Sequence, residues 1–172
     1  MEKTVNELSS GLDFVLITIF LIKEDKLYSQ AYTKSIFTEV INNILPQPVD
    51  LIHVSLKNHT DNIVVRSVNE QKILYTNNLF DIGKYAVPKF LVDLSVKLTG
   101  FKCAIVMPLI DPQNKSIGAI FFAKNRNESF DNELPILKSF VEYLTTIIIN
   151  AQKYEELKNE LSKLKSTNSQ VV

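Results

Sequence analysis

The sequence predicts an α+β fold of three layers, in which a central, mainly antiparallel six-stranded sheet lies between helices. The stretch MPLIDPQNKSIGAIFFAKN, residues 107–125, has two apolar runs around a polar turn, which is typical of a β-hairpin. Both runs are apolar at nearly every position, whereas a strand with one face in water alternates apolar with polar residues. The run FVLITIFLI, residues 14–22, has the same character. We therefore expect helices to cover both faces of the sheet.

The composition is that of a globular protein of one domain. The chain has 172 residues, of which 45% are hydrophobic and 22% are charged. Its 19 basic residues balance 19 acidic ones, so the net charge gives no reason to expect nucleic acid or an anionic membrane as a partner. The single cysteine, Cys103, excludes an internal disulfide and a cysteine-rich zinc site. We expect a reducing, cytoplasmic location.

The apolar run at 14–22 is too short to cross a membrane, which requires roughly 20 apolar residues in a helix. Acidic residues precede it, whereas a signal peptide begins with a basic region. We therefore predict a buried strand and no membrane insertion.

Apolar spacing and turn residues predict the remaining elements up to residue 125. Pro46 and Pro48 end one helix, and Gly100 closes another at its C′ position. The stretch 78–86 is predicted to be a loop, and the helix of 60–71 is predicted to be capped by Thr60 or Asp61. The predicted helices are 2–10, 35–45, 60–71 and 88–99, and the predicted strands are 13–23, 27–33, 50–56, 72–77, 101–110 and 116–125.

A long helix is predicted from about residue 132 to 165, with Pro135 in its first turn. Its length of roughly 50 Å exceeds the roughly 30 Å of a small domain, so its C-terminal part should project. We divide the chain into a domain of residues 1–155 and an extension of residues 156–172 that is similar to a coiled coil. Its projecting apolar residues would pair with a second copy in a parallel homodimer. The predicted dimer interface consists of Val5, Leu8, Tyr154, Leu157, Leu161 and Leu164.

Four short segments follow one another along the C-terminal half of the chain: MPL (107–109), IGAIFF (117–122), FDNEL (130–134) and NAQKYEEL (150–157). Their order and spacing resemble a GAF domain. A weaker likeness reaches back to about residue 8 and includes residues 58–81. The resemblance implies that the terminal helices cover one face of the sheet and that a ligand pocket lies on the other. It also implies a small-molecule sensor in signal transduction, such as the sensor part of a histidine kinase, that relays its state through dimerising terminal helices.

The resemblance places the ligand pocket under residues 76–100. The alternative is a loop whose side chains solvate themselves or cap the helix at residue 88. Polar candidates for binding a ligand are Thr76, Asn77, Asn78, Asp81 and Tyr85, and apolar candidates are Phe80, Phe90, Leu94, Cys103 and Ile105.

The sequence predicts no metal, no covalent chromophore and no catalysis, and it does not identify a ligand. Cys103 lies in a strand and has no neighbouring histidine, unlike the anchoring cysteine of most bilin-binding GAF domains. His53 and His59 have no cluster of possible ligands around them. Asp131 follows Phe130 directly, which departs from the cyclic-nucleotide pattern of the family, and one cysteine cannot complete a thiol–disulfide cycle. The alternative to a sensor is a degenerate GAF-like module that serves only as a dimerisation or scaffold element.

Overall fold

The structure, a computed structural model, describes residues 13–33, 43 and 52–168, and side chains as far as residue 164. The predicted helices at 2–10 and 35–45 lie outside the described residues. Two residues of the predicted dimer interface, Val5 and Leu8, lie outside them as well.

The described elements follow the predicted order, with one addition. The stretch predicted to be a loop contains a short helix, α2, because Asn78 accepts a hydrogen bond from the Phe80 amide and starts a turn there. The elements are β1 (Leu16–Lys23), β2 (Lys26–Tyr32), β3 (His53–Ser55), α1 (Ile63–Glu70), β4 (Leu74–Thr76), α2 (Phe80–Gly83), α3 (Lys89–Thr99), β5 (Cys103–Ile110), β6 (Ser116–Lys124) and α4 (Leu134–Asn168).

The six strands form one sheet in the order β3-β2-β1-β6-β5-β4, and every neighbouring pair is antiparallel. This confirms the predicted sheet. The predicted hairpin is β5 and β6, and β6 also pairs with β1 in the middle of the sheet. Gly118 is required at that contact, because a Cβ there would collide with the carbonyl oxygen of Phe20.

Alternating side chains of the strands fill two separate cores, as the apolar hairpin predicts. Val106 and Phe121 pack beneath α1, α2 and α3. Ile105 and Phe122 pack on the opposite face, against α4. Phe101 precedes β5 and packs with the first core, although strict alternation along the chain would place it on the side of Ile105. Helices thus cover both faces, in the predicted three-layer arrangement.

Helix α4 has 35 residues, which corresponds to about 52 Å. Its buried stripe packs on the sheet and ends at Ile148, and every described side chain from Asn150 to Leu164 is exposed. Its most apolar stretch has a mean hydropathy of 1.2, enough by length and composition for a membrane span, but core helices of globular proteins reach the same value. The stripe consists of Leu137, Val141, Leu144 and Ile148.

A buried ion pair joins the end of β6 to the start of α4. Lys124 is 1% exposed, and its Nζ lies 2.7 Å from Glu133 Oε1. The same ammonium donates to the Ser129 carbonyl at 3.1 Å and lies 4.6 Å from the Phe130 ring centroid. These contacts fix the first turn of the helix relative to a central strand.

Candidate functional site

A cavity of about 150 Å³ lies between the sheet and helices α1, α2 and α3. We call it the sensor cavity. Its floor is formed by β1, β2, β3 and β6, and its roof by the helical segment 79–95 together with α1. The floor includes Thr18, Phe20, Ser29 and Phe121, and the roof includes Ala86 and Ser95.

Small side chains and a strand irregularity leave this space open. Ser29 lines the floor, while Gly83 and Ala86 line the roof. The pairing of β1 with β2 shifts register at Ile19–Phe20, so that Gln30 has no pairing partner on β1. Such a bulge changes which face the following residues point to, and here Ser29 and Tyr32 both line the cavity.

The hydroxyl of Ser29 is the unusual polar group of the sensor cavity. Ser29 is 5% exposed, and its Oγ has no hydrogen-bond partner. An unpaired buried hydroxyl costs about 1–3 kcal/mol, so such a group is seldom retained without a partner. Ser95, on the roof, differs because its Oγ donates to the Leu91 carbonyl at 2.7 Å. Ser29 therefore has free hydrogen-bonding capacity towards the cavity.

Asn62 holds the roof together. It is fully buried, and its Oδ1 accepts hydrogen bonds from the amides of Val64 and Val65 at 2.9 and 3.3 Å. Its Nδ2 donates to the carbonyls of Ile82 and Lys84 at 2.9 and 3.0 Å. One side chain thus caps α1 and binds the end of α2. The cap predicted at Thr60 or Asp61 is wrong by one or two residues, since Asn62 carries out this role.

A polar cluster lies at the edge of the cavity. The rings of His59 and Tyr85 stack with centroids 4.2 Å apart, and Tyr85 adopts a left-handed φ of 70°. The Tyr85 hydroxyl donates to Asp61 at 3.1 Å, and Lys84 Nζ lies 2.6 Å from the same carboxylate. These hydrogen bonds, chiefly that of Lys84, lower the pKa of Asp61, whereas the bond to Asp61 raises the pKa of Lys84 and of Tyr85. This cluster adjoins the roof residue Ala86.

The ten predicted ligand-binding residues do not line the sensor cavity, although the segment that contains most of them covers it. Cys103 and Ile105 belong to the core on the α4 side, because they alternate along β5 with the residues that face α1. Phe90 is 63% exposed, Tyr85 lies at the edge, and Leu94 and Phe80 are half-buried outside the lining.

Most of the polar candidates bond to one another. Thr76 Oγ1 donates to Asp81 at 2.7 Å, and Asn78 Nδ2 donates to the same carboxylate at 3.1 Å. This is the arrangement of a loop that satisfies itself and starts a helix, here α2. Thr76 and Asn77 also meet Cys103 in a second, more open depression at the β4 edge. A ligand-binding role for any of them stays a prediction.

Sequence reasoning missed the residues that do line the cavity from the strands. Thr18 and Ser29 are small polar residues at inward positions of strands, a pattern that could have indicated an incompletely filled core. Within residues 13–33 and 52–164, no group of three or more histidine, cysteine, aspartate or glutamate residues could hold a metal ion. His53 is exposed on β3, and Cys103 Sγ donates to the Arg126 carbonyl at 3.2 Å.

A second candidate surface runs along the outer side of α4, and we call it the helix seam. The apolar residues that form most of this seam, together with Asn150, follow one another at alternating intervals of four and three positions, which is the heptad spacing of a coiled coil. Four of them, Tyr154, Leu157, Leu161 and Leu164, are the predicted dimer residues on the described part of the chain, and Leu157 is 64% exposed. The seam consists of Ile136, Phe140, Tyr143, Ile147, Asn150, Tyr154, Leu157, Leu161 and Leu164.

No protein-family model and no curated protein sequence matches this chain. Solved structures do match. The GAF domain of a phosphoenolpyruvate-protein phosphotransferase from Coxiella burnetii has a TM-score of 0.66 at 11% identity, over 90% of this chain and 83% of that one. The GAF domain of a two-component sensor histidine kinase from Bacillus halodurans has a TM-score of 0.62 at 14% identity, over 90% and 97%.

An enzyme is among the similar structures. The type II free methionine-R-sulfoxide reductase from Thermoplasma acidophilum has a TM-score of 0.57 at 16% identity, over 86% of this chain and 89% of that one. At such identities the similarity shows the fold and leaves the activity open. The order of the strands, the two cores and these similarities lead to one conclusion: this chain has the fold of a GAF domain.

Proposed function

We propose that this chain is a small-molecule sensor domain of signal transduction, without catalytic activity. A ligand in the sensor cavity would change the geometry of α4, and α4 would pass the change on through a parallel homodimer. The observation that carries the proposal is that the cavity and α4 lie on opposite faces of the same central strands. Similarity to the domain from a sensor histidine kinase supports an output of that kind and a cytoplasmic location.

Neighbouring residues of β6 provide a short route between the two faces. Phe121 lines the sensor cavity, and the next residue, Phe122, is fully buried beneath α4. The ring of Phe122 meets that of Phe140 edge-to-face at a centroid distance of 6.3 Å. Two residues further on, Lys124 is paired with Glu133 at the start of the helix. A displacement of β6 by a ligand would thus act on α4 at two points.

The helix seam supports the dimer. It continues past Ile148, where α4 no longer packs on the sheet, and a long row of exposed leucines is unfavourable in water unless a partner covers it. A second copy presents the same seam, as a symmetric dimer requires.

The dimer is tested by light scattering at tens of micromolar chain, a concentration set by the weak affinity of short coiled coils. We expect the mass of a dimer for the unaltered chain and of a monomer for Leu157→Glu, because a charge at the seam is not tolerated. Asn159→Glu is the matched control, since Asn159 is exposed on the same helix but lies off the seam. A monomer for the unaltered chain would contradict the dimer.

Sensing is tested by a thermal-shift screen of metabolites, nucleotides, haem and bilins. A ligand that binds the folded chain raises the unfolding temperature by mass action. We expect at least one stabilising compound, and no stabilisation of Ala86→Leu, whose larger side chain occupies the cavity. A complete absence of stabilising compounds would favour a dimerisation or scaffold module.

A further inference from the structure

The volume of the sensor cavity limits the size of its ligand. Pockets for drug-sized ligands and cofactors have about 300–1,000 Å³. The sensor cavity has about 150 Å³, the size at which an apolar protein cavity takes a single benzene molecule. Nucleotides, haem and bilins are therefore too large for it, and a single small ring or a short chain fits.

The lining limits the charge of the ligand. The wall is mostly apolar and includes Leu16, Phe20, Val64, Val92 and Phe121, and of the described residues that line the cavity none carries a charge. A charged molecule transferred from water into such a site loses its hydration without gaining an opposite charge. An uncharged, largely apolar ligand gains free energy by the same transfer.

Ser29 adds one polar requirement. Ser29 lines the cavity, its buried Oγ has no partner, and a hydroxyl is both a donor and an acceptor. A ligand that carries one hydroxyl or carbonyl group would supply the missing hydrogen bond, and a purely apolar molecule would leave it unmade. The other polar roof side chains, Asn62 and Ser95, already bond to carbonyls within the chain.

We propose that the sensor cavity takes an uncharged, mostly apolar molecule of about the size of benzyl alcohol, held by a hydrogen bond to Ser29. This inference rests on the proposed function and specifies the chemical class of its ligand.

The inference is tested by titrating the full chain with benzyl alcohol, toluene and benzoate and monitoring the amide chemical shifts by heteronuclear NMR. The three compounds share a ring and differ in hydrogen-bonding group and charge. We expect benzyl alcohol to bind and to shift amides of β1, β2 and the helical segment 79–95. We expect toluene to bind more weakly and benzoate to give no shifts at concentrations at which benzyl alcohol saturates.

Two variants test the role of Ser29. Ser29→Ala should weaken the binding of benzyl alcohol about tenfold, which corresponds to roughly one hydrogen bond. It should leave the binding of toluene unchanged. Ser139→Ala is the matched control, because its hydroxyl lies on exposed α4 and donates to the Pro135 carbonyl. If Ser29→Ala weakens the binding of both compounds equally, or the binding of neither, the proposed hydrogen bond to Ser29 is wrong.

The outcomes separate the ligand class from the proposed function. If benzyl alcohol and toluene do not bind, but a charged or larger metabolite stabilises the chain and loses its effect in Ala86→Leu, the ligand class is wrong and the sensor stands. If no compound binds, both are wrong. If benzyl alcohol shifts amides on the α4 side only, the assignment to this cavity is overturned.

Discussion

The two faces of the sheet are built from the same strands and are packed differently. On the α4 side, Ile105, Met107, Ile120 and Phe122 are all nearly inaccessible and pack against the helix. On the opposite side, small residues such as Ser29 and Ala86 leave room for a molecule of benzene size. Well-packed cores seldom contain voids larger than a water molecule. The difference agrees with the proposed function, in which one face packs against a helix and the other takes a ligand.

The two faces also differ in how their helices are held. One long helix covers the filled face and is fixed at its start by the buried Lys124–Glu133 pair. Among the described elements, three short helices cover the cavity face, and the four hydrogen bonds of Asn62 join two of them, α1 and α2. Short segments held by a few polar contacts open more readily than a long packed helix. A ligand would therefore enter through the roof and act on a rigid opposite face.

The largest effect is expected from removing a ring from the filled face. Phe122→Ala should lower the free energy of unfolding by about 4 kcal/mol, because its surroundings cannot collapse into the space. Phe121→Ala, the neighbour that lines the sensor cavity, should cost clearly less, since part of its surface already contacts empty space. Urea unfolding of both variants measures the difference. Equal costs would contradict the contrast between the faces.

A smaller effect is expected from the ion pair that fastens α4. Glu133→Ala should destabilise the chain by about 3 kcal/mol, because it leaves the ammonium of Lys124 buried without its counter-charge. Glu128→Ala is the control, since the carboxylate of Glu128 is half exposed and pairs with exposed Arg126. The same urea titrations compare the two, and a similar cost for both would show that burial of Lys124 is of no consequence.

Removing one of two hydroxyl groups, one on β2 and one just after it, should change the free energy of unfolding in opposite directions. Ser29→Ala should raise the free energy of unfolding by about 1 kcal/mol, because it removes an unpaired buried hydroxyl. Thr33→Val should lower it by about 1–2 kcal/mol, because Thr33 Oγ1 accepts from the buried Ile17 amide at 2.9 Å. Thermal unfolding of both variants without added ligand is the measurement. A loss of stability in Ser29→Ala would mean that its hydroxyl has a partner after all.

The smallest effect concerns the exposed polar cluster at the cavity edge. The hydrogen bond from Lys84 holds the pKa of Asp61 below its ordinary value of 3.8. A lowered carboxyl pKa contributes stability above that ordinary value, and the contribution is lost as pH falls through the pKa of the folded state. Asp61→Asn should therefore flatten the decline of the urea midpoint on the acid side of about pH 4, and added salt should reduce the difference. An unchanged acid profile would show that the Asp61–Lys84 pair has no effect on stability.

Much of the fold was predictable because the strands are strongly apolar. The continuous apolar character of residues 101–110 and 116–125 predicts a hairpin covered on both faces, and Gly100 predicts the end of α3. The cavity lining was not predictable in the same way, because it depends on long-range pairing. Ser29 faces the cavity by alternation with Leu27, but Tyr32 joins it there only because of the register shift after Ser29, and no local pattern around residues 29–32 shows where that shift falls.

The sequence left open whether the polar candidates bind a ligand or bond to one another. Polar residues before a helix are equally suited to a ligand and to a turn, and here Asn78 accepts from the Phe80 amide and donates to Asp81. The apolar candidate Ile105 lies on the filled face because of strict alternation along β5, whose phase is set by the pairing with β6.

The central claim is that occupying the cavity on one face changes α4 on the other. It is tested most directly by pulsed electron paramagnetic resonance between spin labels at Asn159→Cys in a Cys103→Ala background. We predict an inter-chain distance that shifts when benzyl alcohol saturates the chain, and no shift in the Ala86→Leu variant. Two results would contradict this coupling: an inter-chain distance that stays the same when benzyl alcohol saturates the chain, or no measurable inter-chain distance.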